Sequence, residues 1–127
     1  VTWDEVHKET VNEISRGLIE LNLIKDSFEN VIKKELYKDF FMHKTGHWLG
    51  LDVHDVGEYE NVFFQPGMVI TVEPGIYIDS SNKNVSEKWR GIGVRIEDDV
   101  LITDKGNEVI TLDLAKKRNE VESLCNK

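Results

Sequence analysis

The spacing of hydrophobic positions changes about a third of the way along the chain. Val6, Val11, Ile14, Leu18 and Leu21 recur at helical spacing on one face, and Lys8, Glu9, Glu13 and Arg16 lie off it. Thr2 followed three residues later by Glu5 is a capping-box signature, in which hydroxyl and carboxylate each satisfy a free backbone N–H. Ser27 is placed to cap a second, shorter helix carrying Phe28, Val31, Ile32 and Leu36. His7 sits among polar neighbours of the first helix and reads as a surface residue.

From residue 40 the pattern becomes strand-like. Phe40-Phe41-Met42 and Met68-Val69-Ile70-Thr71-Val72 are short apolar runs broken by Gly and Pro. Residues 91–103, GIGVRIEDDVLIT, alternate: Ile92, Val94 and Ile96 face one way, Gly93, Arg95 and Glu97 the other. Asp104-Lys105-Gly106-Asn107 predicts a turn and residues 108–112 the partner strand of a hairpin; residues 119–124 predict a last helical turn. Helices followed by a β-rich half, without repeat or linker, predict a single α+β unit over residues 1–127.

Composition narrows the partners. Acidic residues number 24 against 16 basic ones, giving a net charge of −8. The one basic cluster, Lys116-Lys117-Arg118, is short, which argues against nucleic acid and anionic membranes. No apolar run approaches the roughly 20 residues of a membrane span. The first residues, VTWDEVHKET, resemble neither a signal nor a transit peptide. A lone cysteine, Cys125, cannot form an internal disulfide, so a cytoplasmic, reducing compartment is expected.

The chemistry concentrates in four polar features set in apolar, strand-like surroundings, where polar groups are costly unless paired. HKTGHWLGLDVH carries three histidines, His43, His47 and His54, and Glu73 ends the apolar run MVITVEPG. Arg95 and Glu97, two apart on one strand, project from the same face. Imidazole with carboxylates is a ligand set for Mn, Fe, Co or Zn, and one His with two Glu leaves positions open for water and substrate. A structural Arg–Glu ion pair and a core histidine are competing readings of the same residues. Spacing alone leaves them open.

Three ordered blocks, FMHKTGHWLGLDVHDVG, QPGMVITVEPGIYI and WRGIGVRIEDDVLIT, closely resemble the aminopeptidase P family of Xaa-Pro aminopeptidases. The flanking helix and the tail KKRNEVESL extend the likeness over essentially the whole chain. The resemblance implies the C-terminal half of a pita-bread fold, with N-terminal helices packed on a curved, mainly antiparallel sheet. It implies a metal centre using two divalent ions, usually Mn, to hydrolyse the peptide bond before a second-position proline. Carried over residue by residue, His47, Glu73 and Glu97 match metal ligands, and Glu73 also matches the general base. His43 and His54 match non-ligand histidines that contact substrate and stabilise the tetrahedral intermediate. Arg95 matches an arginine that supports the ligand carboxylates.

Lys44-Thr45 departs from the family's usual glycine and small or aliphatic pair. The two aspartates that complete the family's centre have no counterpart here, since Asp4 and Asp26 fall in the helical region and Asp39 in the wrong context. The chain is therefore expected to bind one ion or none and to lack substantial peptidase activity alone. An apolar face left by the missing half is expected to promote a homo-oligomer. Prolidase is the nearest alternative, and a non-catalytic pita-bread binding module the alternative of another class. Methionine aminopeptidase fits less well, because the block after His47 runs WLGLDVHDVG.

Overall fold

The computed structural model describes residues 1–126. Helix α1, Trp3–Glu20, starts where the capping box was read: the Thr2 hydroxyl accepts the Glu5 N–H and the Glu5 carboxylate accepts the Thr2 N–H at 2.8 Å. Its buried stripe is Trp3, Val11, Ser15 and Leu18. Val6 is half-buried and Leu21, the helix C-cap, is exposed, so the stripe is rotated from the one read in the sequence. Helix α2, Phe28–Lys33, is capped by Ser27 as predicted. It stops before Leu36, because Glu35 adopts a left-handed φ of 53° and Leu36 opens a separate 3-10 turn, Leu36–Asp39.

The expected strand at residues 40–42 does not form. Phe40 and Phe41 both donate their N–H groups to the Tyr37 carbonyl, and their side chains are buried with Val11, Leu18, Val31 and Ile78. This apolar run is core, and a short run cannot by itself distinguish core from ladder.

The long strand read at residues 91–103 divides in two. Strand β3, Gly93–Arg95, pairs antiparallel with β2, Gly75–Tyr77, in register Gly75↔Arg95. Strand β4, Asp98–Thr103, pairs antiparallel with β1, Val69–Val72, in register Val72↔Asp98. The interruption has a cause in the opposite chain. Pro74 stands between β1 and β2 and has no N–H to give a ladder, so both chains leave the sheet at the same point. Glu73 flanks the break on one chain and Ile96-Glu97 on the other, with the Pro74 carbonyl accepting the Ile96 N–H at 3.4 Å. The break thus brings two carboxylates together.

The hairpin prediction holds, with a tighter turn. Strand β5, Gly106–Val109, pairs with β4 from Thr103↔Gly106 onward, and Gly106 takes a φ of 135°. Helix α3, Arg118–Cys125, covers the predicted last turn. Among the described residues no helix is long and apolar enough to cross a membrane.

On the free edge of β1 an extended segment, residues 45–49, adds a further run of pairing. Glu73 N–H donates to the Thr45 carbonyl at 2.7 Å, Thr71 N–H to His47 at 2.9 Å, and Leu49 N–H to Val69 at 3.2 Å. Gly46 permits that approach, since a Cβ there would lie 1.8 Å from the Thr71 carbonyl oxygen. A second core of Trp3, Trp48, Ile70 and Val100 joins the start of α1 to this part of the sheet. The Trp3 ring stands nearly perpendicular to those of Trp48 and Phe64, at 5.1 Å from each. The segment that carries His47 is therefore backed by a helix.

Candidate metal centre

His47, Glu73 and Glu97 each direct a donor atom to one point, all within 4.8 Å of one another. They arrive from three pieces of chain: the extended segment, the end of β1, and the β3–β4 junction. Arg95 and Glu97 were read as neighbours on one strand face. In the structure Arg95 ends β3 and Glu97 lies in the junction, yet both reach the site.

The wiring of His47 fixes which nitrogen is offered. Its Nδ1 lies 2.9 Å from the Trp48 carbonyl oxygen, which can only accept, so Nδ1 carries a proton and Nε2 is the nitrogen turned to the site. That Nε2 is 3.2 Å from Glu73 Oε1. Two electron-pair donors so close, with a second carboxylate beside them, require a cation or a proton between them. The residues present thus fit a divalent metal by their own chemistry. A carboxylate–imidazole set with no thiolate points to a hard or borderline ion.

Glu73 is held on every side. The Thr71 hydroxyl donates to its Oε1 at 3.2 Å and accepts the His47 N–H at 3.0 Å, tying Glu73 and His47 to one side chain. Arg95 Nη1 lies 3.3 Å from Glu73 Oε2. The same arginine donates from Nε to the Tyr77 hydroxyl at 2.8 Å. Tyr77 in turn lies 3.1 Å from His43 Nε2, and His43 Nδ1 lies 2.7 Å from the Lys44 carbonyl oxygen. His43 is therefore joined to Glu73 through Tyr77 and Arg95. His54 is exposed, and its ring lies 4.3 Å from that of His47. Its loop is clamped by Asp55, whose carboxylate accepts the Leu51 and Val56 N–H groups at 3.0 and 2.8 Å.

One residue past Glu97, the Asp98 carboxylate meets the Thr111 hydroxyl at 2.6 Å and Lys116 Nζ at 2.9 Å. Burial acts to raise its pKa, but the Thr111 hydrogen bond and the Lys116 ammonium outweigh it and hold the group below its ordinary 3.8.

The sequence did not reveal Thr71 or Tyr77. Thr71 had one legible sign, a hydroxyl inside the apolar run MVITV; Tyr77 had none. His7, read as a surface residue, is half-buried and bonded to Thr45.

The sequence profile of metallopeptidase family M24 matches residues 2–104. The chain belongs to this family. It is 47% identical over 123 residues to the Xaa-Pro aminopeptidase of Escherichia coli, covering 94% of this chain and 28% of that protein. It superimposes on the aminopeptidase PepP of Pseudomonas aeruginosa with a TM-score of 0.92 and 50% identity, over 98% of this chain and 29% of the other. It also matches E. coli aminopeptidase P with the inhibitor Pro-Leu, at a TM-score of 0.83 and 47% identity over 90% of this chain and 26% of that one. The helices and antiparallel strands are thus part of the pita-bread fold of these metallopeptidases. The chain spans less than a third of the length of the relatives it matches.

Proposed function

We propose that this chain supplies metal-ligating residues of an Xaa-Pro aminopeptidase, acting on a peptide with proline in second position. The observation that carries the reading is the convergence of His47 Nε2, Glu73 and Glu97 on one point beside Arg95. His47, Glu73 and Glu97 would hold a divalent cation, for which we favour Mn. When bound, such an ion polarises a carbonyl and makes a water more acidic.

The chain's own groups supply the rest. Glu73 is the general base, held by Arg95 at Oε2 and by the Thr71 hydroxyl at Oε1. His54 is exposed beside His47 and offers an N–H toward developing negative charge on the substrate. Both ring nitrogens of His43 are engaged by the Lys44 carbonyl and Tyr77, so its part is to shape the pocket wall and contact substrate. Arg95 orients Glu73 through its Oε2. A reducing, cytoplasmic setting and self-association through exposed apolar side chains such as Ile110, Leu112 and Leu114 complete the reading.

A chimera tests it. These residues replace their counterparts in the E. coli Xaa-Pro aminopeptidase, and hydrolysis of Xaa-Pro and Xaa-Ala peptides is followed with Mn(II). Turnover confined to the Xaa-Pro peptide, and lost in Glu73→Gln, is expected. A folded chimera without activity contradicts the proposal.

A further inference from the structure

Behind the ligand-bearing segment, α1 makes one polar contact with it. His7 Nδ1 lies 2.9 Å from the Thr45 hydroxyl. Thr45 is 1% exposed, so water does not serve that hydroxyl, and His7 is its partner among the described residues. A buried hydroxyl left unpaired is costly, so the contact fixes both groups. Thr45 also works through its main chain: its carbonyl accepts the Glu73 N–H at 2.7 Å. Two residues further on, the His47 carbonyl accepts the Thr71 N–H. One threonine therefore joins α1, by its side chain, to the Glu73 main chain, by its backbone.

The surroundings of His7 show that the hydrogen bond sets its position. The ring borders a cleft of about 550 Å³ lined in part by Trp3, Lys44, Thr45 and Tyr59. It also borders a second cleft with Phe41, His43 and Lys44. The ring packs on Phe41, 5.8 Å between centroids, and has open space on two sides, so the hydrogen bond is what directs the imidazole to Thr45. Burial first, then the Lys44 charge, lower the His7 pKa from 6.5, against an opposing pull from Asp4. The ring is thus neutral at pH 7, with one nitrogen to donate and one to accept.

We propose that His7 is a positioning residue for the metal-ligating face: from α1 it holds the Thr45 hydroxyl, and through Thr45 it fixes the backbone on which Glu73 and His47 stand. The proposal rests on the metal reading above, and its test keeps the two separable. Three variants are compared with the parent chain. His7→Phe keeps the ring's bulk without a nitrogen, His7→Asn returns a polar group near Nδ1, and Thr45→Val removes the hydroxyl at constant shape. Each is read by hydrogen exchange of the Glu73 amide, by the Mn(II) Kd from calorimetry, and by Tm.

The expected result for His7→Phe and Thr45→Val is exchange at Glu73 faster by about tenfold or more, and Mn(II) affinity weaker by roughly 10- to 100-fold, as for partners that orient ligands. The double variant is no worse than either single one, and His7→Asn recovers most of the loss. Should His7→Phe fail to fold, Thr45→Val and His7→Asn decide by the same readings. A lowered Tm with Glu73 exchange and Mn(II) affinity unchanged makes His7 a helix staple and overturns the proposal. If the parent chain binds no Mn(II), the metal reading falls, and Glu73 exchange still decides the role of His7.

Discussion

Glu73 and Glu97 flank the same break in the sheet, one on each chain, and their surroundings are opposite. Glu73 is buried, with the Thr71 hydroxyl and Arg95 on its oxygens, His47 beside it and its N–H on the Thr45 carbonyl. Glu97 is exposed, and its carboxylate has no hydrogen-bond or ion-pair partner among the described residues. His54 lies on the open side with it, on an exposed loop beside His47. The built side is positioned by the fold itself, through a glycine-permitted strand contact and a helix behind it. On the open side the backbone is anchored, by Asp55 in the loop and Asp98 beyond the junction, but the Glu97 carboxylate itself has no partner among the described residues, which is the arrangement of a group that awaits a ligand. Stability and metal affinity should therefore separate between the two sides.

The most severe way to break this comparison is Gly46→Ala. The new methyl group would meet the Thr71 carbonyl oxygen, so the extended segment must move off β1. A loss of about 3 kcal/mol, the upper end for overpacking, is expected from denaturant melts, together with loss of Mn(II) binding. A variant as stable as the parent would mean that the segment is not held where Thr45 and His47 need it.

Next comes Glu73→Gln. The neutral amide takes the place of the carboxylate that Arg95 and the Thr71 hydroxyl meet, at a cost of about 2 kcal/mol. Glu97→Gln should weaken Mn(II) just as severely and change stability by no more than about 0.5 kcal/mol, the range for an exposed position. Equal stability losses in the two variants would erase the distinction between the sides.

The smallest effect is a pH dependence. The folded pKa of Asp98 is lowered, so its contribution to stability is present above the ordinary 3.8 and lost as pH falls below that value. His7 is also lowered, from 6.5, so its contribution is present above 6.5 and fades on acidification, before that of Asp98. In Tm measured against pH, Asp98→Asn should flatten the curve below about pH 4 and leave the His7 region intact. An unchanged curve below that pH would remove Asp98 as an anchor of the junction that carries Glu97.

Local chemistry was legible in the sequence; what depended on a distant partner was not. The capping box of Thr2 and Glu5 and the β4–β5 hairpin involve groups a few residues apart, and both formed. The alternation over residues 91–103 ran unbroken through Ile96 and Glu97, because the interruption comes from Pro74 on the opposite chain. Phe40 and Phe41 gave an apolar run without a period long enough to tell core from strand. His7 looked like surface because its partner, Thr45, is 38 residues away. The three motif blocks named His47, Glu73 and Glu97, and the structure brought them together. The groups that orient them, Thr71, Tyr77 and the Trp48 carbonyl, emerge only from the fold.

Titration of the chain with Mn(II) in a calorimeter, beside Glu97→Ala, tests the central claim most directly. The account predicts saturable binding to the parent chain that Glu97→Ala abolishes, with the circular dichroism spectra of the two superimposable. No binding to the parent, or the same affinity in Glu97→Ala, would contradict a metal centre built from His47, Glu73 and Glu97.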